Sequence, residues 1–210
     1  MRLTLATVSA ALLLAAPAAA QQTKAQADST FAALSARLQQ GDTTVDFTAF
    51  RMARAHSSAY APYDAPNAAK HFGAYVQGRR FDALRAAADT VLQADFASIE
   101  AHVMRGYAAA QLGDARAAWL HRAIARGLVR SLEASGDGTR EHPYVVISVA
   151  EEYALVNSRG LQRGEQSLGR CGAVECDVLS VIDADGKGSL LHFDITLPSQ
   201  HLRAMFQGKS

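Results

Sequence analysis

Apolar residues recur at helical spacing through the first half of this chain, which predicts a series of amphipathic helices. The first predicted helix runs from Asp28 to Gly41, the second covers residues 42–55 and the third covers residues 66–78. The segment between the second and third helices contains Tyr60 and Tyr63 and is predicted to be a connecting loop.

Residues 74–123 contain an internal repeat, whose second copy is predicted to be a helical hairpin with its turn at Gly113-Asp114. Five positions have a counterpart 35 residues later, which are Ala74, Gly78, Ala83, Leu84 and Ala88 against Ala109, Gly113, Ala118, Trp119 and Ala123. This period is close to that of the tetratricopeptide helix–turn–helix repeat, at about 34 residues. His102 and Arg122 depart from its aromatic positions. An ordinary helical hairpin therefore remains an alternative to a tetratricopeptide-like one.

The pattern changes after Glu133, where turn residues at 135–139 precede shorter, β-branched segments. A short helix is predicted at residues 150–157 and a terminal helix from Pro198, whose Leu202, Met205 and Phe206 are expected to pack on the sheet. Strands are predicted at residues 144–149, 161–170, 175–183 and 189–195. Helices first and strands afterwards predict an α+β fold, with N-terminal tetratricopeptide-like hairpins followed by a small antiparallel sheet.

The first twenty residues have the layout of a secretory signal peptide. A basic Arg2 precedes an uncharged apolar run from Leu3 to Ala16, and small residues follow Pro17 up to Ala20. This arrangement predicts cleavage between Ala20 and Gln21 and a periplasmic or secreted protein. The run is shorter than the roughly 20 residues that cross a bilayer, and we expect no membrane span.

These patterns divide the chain into four parts. We expect a signal peptide at residues 1–20, a flexible leader at 21–27, a helical part at 28–134 and an α+β part at 135–210. The last two are expected to pack as one unit, since the mature length suits a single compact domain.

Charge and cysteine content narrow the possible partners. The chain has 21 Lys and Arg against 20 Asp and Glu, so removing Arg2 with the signal leaves a net charge of zero. Nucleic-acid binding and electrostatic attachment to anionic lipid normally require a basic excess, so neither is expected. Cys171 and Cys176 are the two cysteines, and a disulfide between them is expected in an oxidising compartment.

Several phrases in the same order resemble one bacterial family, domain of unknown function 4919. They are Gly41-Asp42-Thr43-Thr44, Tyr60-Ala61-Pro62-Tyr63, Ser135-Gly136-Asp137-Gly138, Val146-Ile147-Ser148 with Glu152-Tyr153, and His192-Phe193-Asp194-Ile195 with Leu197-Pro198. The segment Phe50-Arg51-Met52-Ala53-Arg54 departs from the Tyr-rich helix of that family. The resemblance covers nearly the whole mature chain and implies no catalytic residue.

No motif for a known chemistry is present. The histidines do not form a zinc signature, although His102 and His121 could face one another across a helical hairpin. Glu151 and Glu152 point about 100° apart on a helix, so they do not form a paired acid–base site. We therefore expect no catalytic residue, no cofactor and no metal.

Two groups of side chains are candidates for a partner surface. Arg122, Arg126 and Arg130 recur every four residues and share one helix face. Tyr60 and Tyr63 could line a groove. The alternative for the arginines is a simple solvated stripe.

The sequence therefore favours a non-enzymatic module of the cell envelope that binds an unknown protein or a small ligand. The alternative is a small envelope hydrolase whose site lies between the helices and the sheet, with distant residues such as Asp137, His142 and Glu152 as candidates.

Overall fold

The computed structural model describes residues 23–64 and 66–207, so the predicted signal peptide and its cleavage site lie outside the described residues. The first six helices, which we call the helical half, are α1 (Lys24–Gln39), α2 (Phe47–His56), α3 (Phe72–Gln77), α4 (Phe81–Ala94), α5 (Ile99–Gln111) and α6 (Ala115–Glu133). A 3₁₀ turn, Asn67–His71, precedes α3.

The rest of the chain, which we call the sheet half, alternates strands and helices. Its elements are β1 (Tyr144–Val145), α7 (Val149–Ser158), β2 (Gln162–Cys171), β3 (Val174–Ile182), β4 (Gly188–Asp194) and α8 (Thr196–Gln207). The predicted α+β class is confirmed. None of the helices within the described residues is long and apolar enough to cross a membrane.

Helix α1 begins at Lys24, earlier than the start at Asp28 that its apolar spacing predicts. Thr23 is the N-cap, and its side chain and that of Gln26 cap each other's backbone groups. Residues 24–27 of the predicted flexible leader therefore form the first turn of α1, and Ala27 among them is fully buried. Asp28 does not cap the helix, because its carboxylate instead accepts a hydrogen bond from the backbone N–H of Ser58 at 2.8 Å.

The sheet is mixed rather than purely antiparallel. Its strand order is β1-β4-β3-β2, with antiparallel pairing from β2 to β4. The difference comes from β1, which pairs parallel to β4, with Tyr144 opposite Phe193. The predicted strand at 144–149 is also shorter than expected, because the chain turns into α7 at Val149.

The long helix α6 contributes to the cores of both halves. Ile124 and Leu128 are buried against α1, α2 and α5, whereas Leu132 is buried against the sheet. Val129 packs against both groups. At Gly127 a Cβ atom would overlap the Phe47 ring, so this glycine permits the close approach of α2 to α6.

The terminal helix α8 covers less of the sheet than expected. Leu202, Met205 and Phe206 remain substantially exposed. Pro198 is the residue of α8 that is buried, and the helix makes two further contacts, because Arg203 pairs with Glu175 and the His201 ring lies edge-on to Tyr60.

The two cysteines lie on either side of the β2–β3 turn, Cys171 at the end of β2 and Cys176 within β3. Cys171 and Cys176 lie at disulfide-bonding distance with their Cα atoms 5.8 Å apart, as expected from the sequence. Such a bond closes only a small loop, so it acts as a local staple of the hairpin.

Candidate functional site

The two halves are joined by a buried ion pair that the sequence analysis did not identify. Arg51 on α2 donates from Nε and Nη2 to the two carboxylate oxygens of Glu151 on α7, each at 2.7 Å. Arg51 also donates to the carbonyl of Val145 at 2.8 Å, and Glu151 accepts from the backbone N–H of Ile147 at 2.9 Å. These contacts fix α7 against the helical half.

The loop that contains Tyr60 closes one side of this junction. The Tyr60 hydroxyl donates to the carbonyl of Ile147 at 2.6 Å, and burial raises the pKa of this phenol. Tyr60 is therefore an anchor of the loop rather than an open binding residue. Tyr63 is different, because it is 46% exposed.

A small cavity of about 50 Å³ lies beneath this loop. Arg54, Asp95 and Glu151 are among its polar lining residues. A space of this size holds no more than a few water molecules, so it is not a ligand site by itself.

A larger opening lies between α5 and α7, and we call it the seam groove. Its volume is about 360 Å³, within the range typical of ligand pockets. Its apolar lining residues, which we call the floor, include Ile99, Val103, Met104, Val129 and Ala154. Its polar lining residues, which we call the rim, are Glu100, Tyr153, Asn157, Ser158 and Arg163.

The rim carries one charge of each sign. Burial raises the pKa of Glu100, and the positive charge of Arg163 acts in the opposite direction. The Arg163 guanidinium lies 4.1 Å from the centre of the Tyr153 ring, which holds it at the rim by a cation–π contact. The structure gives no hydrogen bond or ion pair between Glu100 and Arg163 among its described residues.

Behind α7 lies a buried pair of carboxyl groups. Glu152 is fully buried, and Asp177 on β3 is nearly so. The amide of Gln166 donates to both, at 3.2 Å to Glu152 and 2.8 Å to Asp177. Burial raises the pKa of Glu152 to about 9, helped by the charge of Asp177, by a hydrogen bond to Asp177 and by the charge of Glu151. Glu152 is therefore protonated near neutral pH.

Glu151 and Glu152 serve different partners, in agreement with their expected separation on the helix. Glu151 binds Arg51, whereas Glu152 shares Gln166 with Asp177. Neither member of the carboxyl pair lines the seam groove.

The structure brings His102 and His121 together across the α5–α6 hairpin. Their Nδ1 atoms are 2.9 Å apart, and His102 Nε2 lies 2.9 Å from the carbonyl of Phe96. Burial lowers the pKa of His102 to about 3 and that of His121 to about 4. Within the described residues, no group of three or more His, Cys, Asp or Glu side chains could hold a metal ion.

Of the three distant residues considered for a hydrolase, Asp137 and His142 lie close together and Glu152 does not. The backbone N–H of Asp137 donates to the carbonyl of His142 at 2.9 Å, and both residues line one open depression. Glu152 is not part of that depression. The Asp137 carboxylate accepts hydrogen bonds within its own turn from Thr139, which lowers its pKa. The Asp137 side chain thus serves its own turn.

The predicted arginine stripe lies on a separate surface. Arg122, Arg126 and Arg130 are exposed along the outer face of α6. Arg122 and Arg126 line a shallow depression with Trp119, whereas Tyr60 lines the small cavity at the junction. The tyrosines and arginines therefore do not form one surface.

One signal in the sequence points to the buried junction. Phe47, Phe50, Arg51 and Arg54 follow helical spacing, which places both arginines on the buried face of α2. A charged residue on an apolar face needs a buried partner. The identity of that partner, Glu151, could not be found from local spacing because it lies 100 residues away.

A family model described as Domain of unknown function (DUF4919) matches residues 20–203, which is most of the chain. The chain belongs to this family. The family resemblance inferred from the sequence phrases is thus confirmed, while the tetratricopeptide-like character of the hairpins stays a prediction. Neither the curated proteins nor the solved structures gave a significant match.

Proposed function

We propose that this DUF4919 protein is an exported, non-enzymatic module that binds a small zwitterionic ligand in the seam groove. The observation that carries the proposal is a cavity of about 360 Å³ with an apolar floor and a polar rim. Pockets with this combination are the usual sites for small molecules, because the floor supplies affinity and the rim fixes orientation.

The charges of the rim support a ligand with both an amine and a carboxylate. Glu100 offers an acceptor for the amine, and Arg163 offers a donor fork for the carboxylate. The apolar floor offers space for a hydrophobic side chain beside Val103 and Met104. A short apolar peptide with free termini has all three features.

Three forms of one peptide test this ligand class. We expect the mature protein to bind the free dipeptide Leu-Leu more tightly than its N-acetylated form or its C-terminal amide, as measured by calorimetry. Glu100→Gln should abolish the preference for the free amine, and Arg163→Gln should abolish the preference for the free carboxylate. Equal binding of all three forms would contradict the proposal.

A groove-filling substitution tests the location. Ala150 is exposed on α7 and lines the groove, so Ala150→Trp should block it and weaken binding by at least about tenfold, or 1.4 kcal/mol. The matched control is Ala36→Trp, at an exposed position on α1. If both variants bind as the parent does, the ligand lies elsewhere.

Export rests on different observations. The apolar segment at residues 3–16 precedes small residues at the predicted cleavage site, and the family match begins at residue 20. The cysteine pair is consistent with an oxidising compartment. Mass spectrometry of the protein from a periplasmic or culture fraction should give a chain that starts at Gln21. An intact chain confined to the cytoplasmic fraction would refute export.

A small envelope hydrolase is the second candidate, and the Glu152–Asp177 pair favours it because carboxyl pairs can serve as acid and base. Against it, neither carboxyl lines the seam groove. The same dipeptide separates the two proposals. A hydrolase would cleave Leu-Leu and lose this activity in Glu152→Gln, whereas a binding module returns the peptide intact.

A further inference from the structure

The outer face of α6 presents positive charge beside an exposed aromatic ring. Arg122, Arg126 and Arg130 lie with Trp119 within an arc of about 80° on the helix surface. Trp119 is 54% exposed, which is unusual for so large an apolar side chain. The stem of Arg122 rests over Gly106 of α5, where an added Cβ would come within 3.3 Å of its Cγ atom.

This charge is not neutralised by the rest of the described chain. None of these three arginines takes part in any ion pair found in residues 23–64 and 66–207. Glu133, at the end of the same face, is held by Arg159 at 3.1 Å. Asp114 is engaged as the N-cap of α6, where it accepts from the backbone N–H of Ala117 at 2.9 Å.

A depression with an apolar lining adjoins the arginines. Its volume is about 360 Å³, and Trp119 forms one wall. The remaining lining is mostly small, with Ala110, Gly113, Ala115 and Ala118. A ligand with an apolar group next to its negative charges would fit both features of this face.

We propose that this face of α6 binds an acidic helical segment of a partner protein. The three arginines recur at i, i+4 and i+8, so they are about one helical turn apart. Carboxylates repeated once per turn on a partner helix match that spacing. An apolar side chain beside them would enter the depression at Trp119. A polyanion such as heparin or an anionic lipid headgroup supplies charge but no such side chain.

The test uses the mature protein and two synthetic helical peptides. One is Ala-based with Glu at i, i+4 and i+8 and a neighbouring Leu, and the other has Gln in place of each Glu. We expect binding of the Glu peptide by fluorescence anisotropy, weakening as salt is raised because exposed charges are screened. The Gln peptide should bind at least about tenfold more weakly.

Two variants locate the binding, and a third is the control. Arg126→Glu and Trp119→Ala should each weaken binding of the Glu peptide by about tenfold or more. Arg85→Glu makes the same charge change at an exposed position on α4 and should leave binding within about twofold. Circular dichroism checks that each variant remains helical. Equal losses in Arg126→Glu and Arg85→Glu would overturn the proposal.

Heparin and phosphatidylglycerol vesicles test the other classes of partner. If either binds with the same dependence on Arg126 and Trp119 while the Glu peptide does not, the proposed protein partner is wrong. The seam groove supplies an independent reference, since Arg126→Glu should not change the affinity for Leu-Leu. The two proposals can therefore fail separately.

Discussion

The helical half and the sheet half each contain a pair of like titratable groups with at least one fully buried member, but the two pairs respond to protons in opposite ways. In the helical half, His102 Nε2 faces a carbonyl oxygen, so this nitrogen carries the hydrogen and Nδ1 is left to accept from His121. A further proton would set two N–H groups against each other. In the sheet half, Glu152 and Asp177 share one amide donor and would repel each other if both were ionised. In this pair, a proton kept on Glu152 removes that repulsion.

The junction between the halves follows a third rule. Arg51 and Glu151 have opposite charges and make two parallel hydrogen bonds, so neither needs to change protonation to be buried. Within each half, the protonation state of the pair removes the repulsion between its two like groups. The junction instead depends on both Arg51 and Glu151 being present. This difference predicts how severe each substitution should be.

The largest effect is expected at the junction. Glu151→Gln leaves the Arg51 charge buried without its carboxylate, and removing one partner of a buried pair typically costs about 3–5 kcal/mol. We expect this loss in the free energy of unfolding, measured by urea denaturation near neutral pH.

A matched control is available on the surface. Glu133→Gln breaks the partly exposed pair with Arg159 and should cost less than about 1 kcal/mol. The double change Arg51→Met with Glu151→Leu removes both charges and should be far milder than Glu151→Gln alone. Equal losses in Glu151→Gln and Glu133→Gln would show that the junction is not held by this ion pair.

The carboxyl pair should make the sheet half sensitive to base. The pKa of Glu152 is raised from 4.5 to about 9, so the folded chain keeps a proton that the unfolded chain releases. The stability from this proton is complete below about pH 4.5 and is lost as the pH rises towards 9. Glu152→Gln supplies an N–H donor at every pH. Its stability relative to the parent should therefore rise with pH, by up to about 1.4 kcal/mol per unit.

Urea unfolding near pH 5 and near pH 8 measures this difference. Tyr63 also faces the pair, because its pKa is raised first by burial and then by the charges of Asp177 and Glu152. Glu141→Gln, at an exposed position, is the control for losing one carboxyl group. If the two variants follow the same pH profile, the buried proton is not on Glu152.

The sequence predicted elements better than it predicted contacts between them. Helical spacing located α2, the 35-residue repeat located the α5–α6 hairpin, and β-branched runs located β3 and β4. The start of α1 was missed because its capping box uses Thr23 and Gln26 rather than an apolar residue. The parallel pairing of β1 was missed because it involves a two-residue strand whose partner is 49 positions away.

The polar residues divide in the same way, into contacts within one hairpin and contacts between distant elements. His102 and His121 lie on adjacent helices of one hairpin, so local geometry was enough to bring them together. Glu152, Gln166 and Asp177 come from three different elements, and their meeting depends on how α7 packs over the sheet. The seam groove has the same origin, because its two sides come from α5 and α7. Spacing along one element carries no information about such packing.

The smallest expected effect is at the histidine pair, and it has the opposite sign to that of Glu152. Burial lowers the pKa of His102 from 6.5 to about 3 and that of His121 to about 4. The stability from keeping them neutral is complete above about pH 6.5, the ordinary value, and is lost as the pH falls from there towards the lowered pKa values.

His121→Gln can still donate to His102, so it should cost no more than about 1 kcal/mol near pH 7. Between about pH 6.5 and 4 its stability should fall less steeply than that of the parent, because one fewer proton is taken up on unfolding. His142→Gln, at an exposed position, is the control for losing one histidine. Urea unfolding curves near pH 6.5 and near pH 4 compare the parent, His121→Gln and His142→Gln. A parent-like acid slope in His121→Gln would mean that the helical half owes its acid sensitivity to other groups.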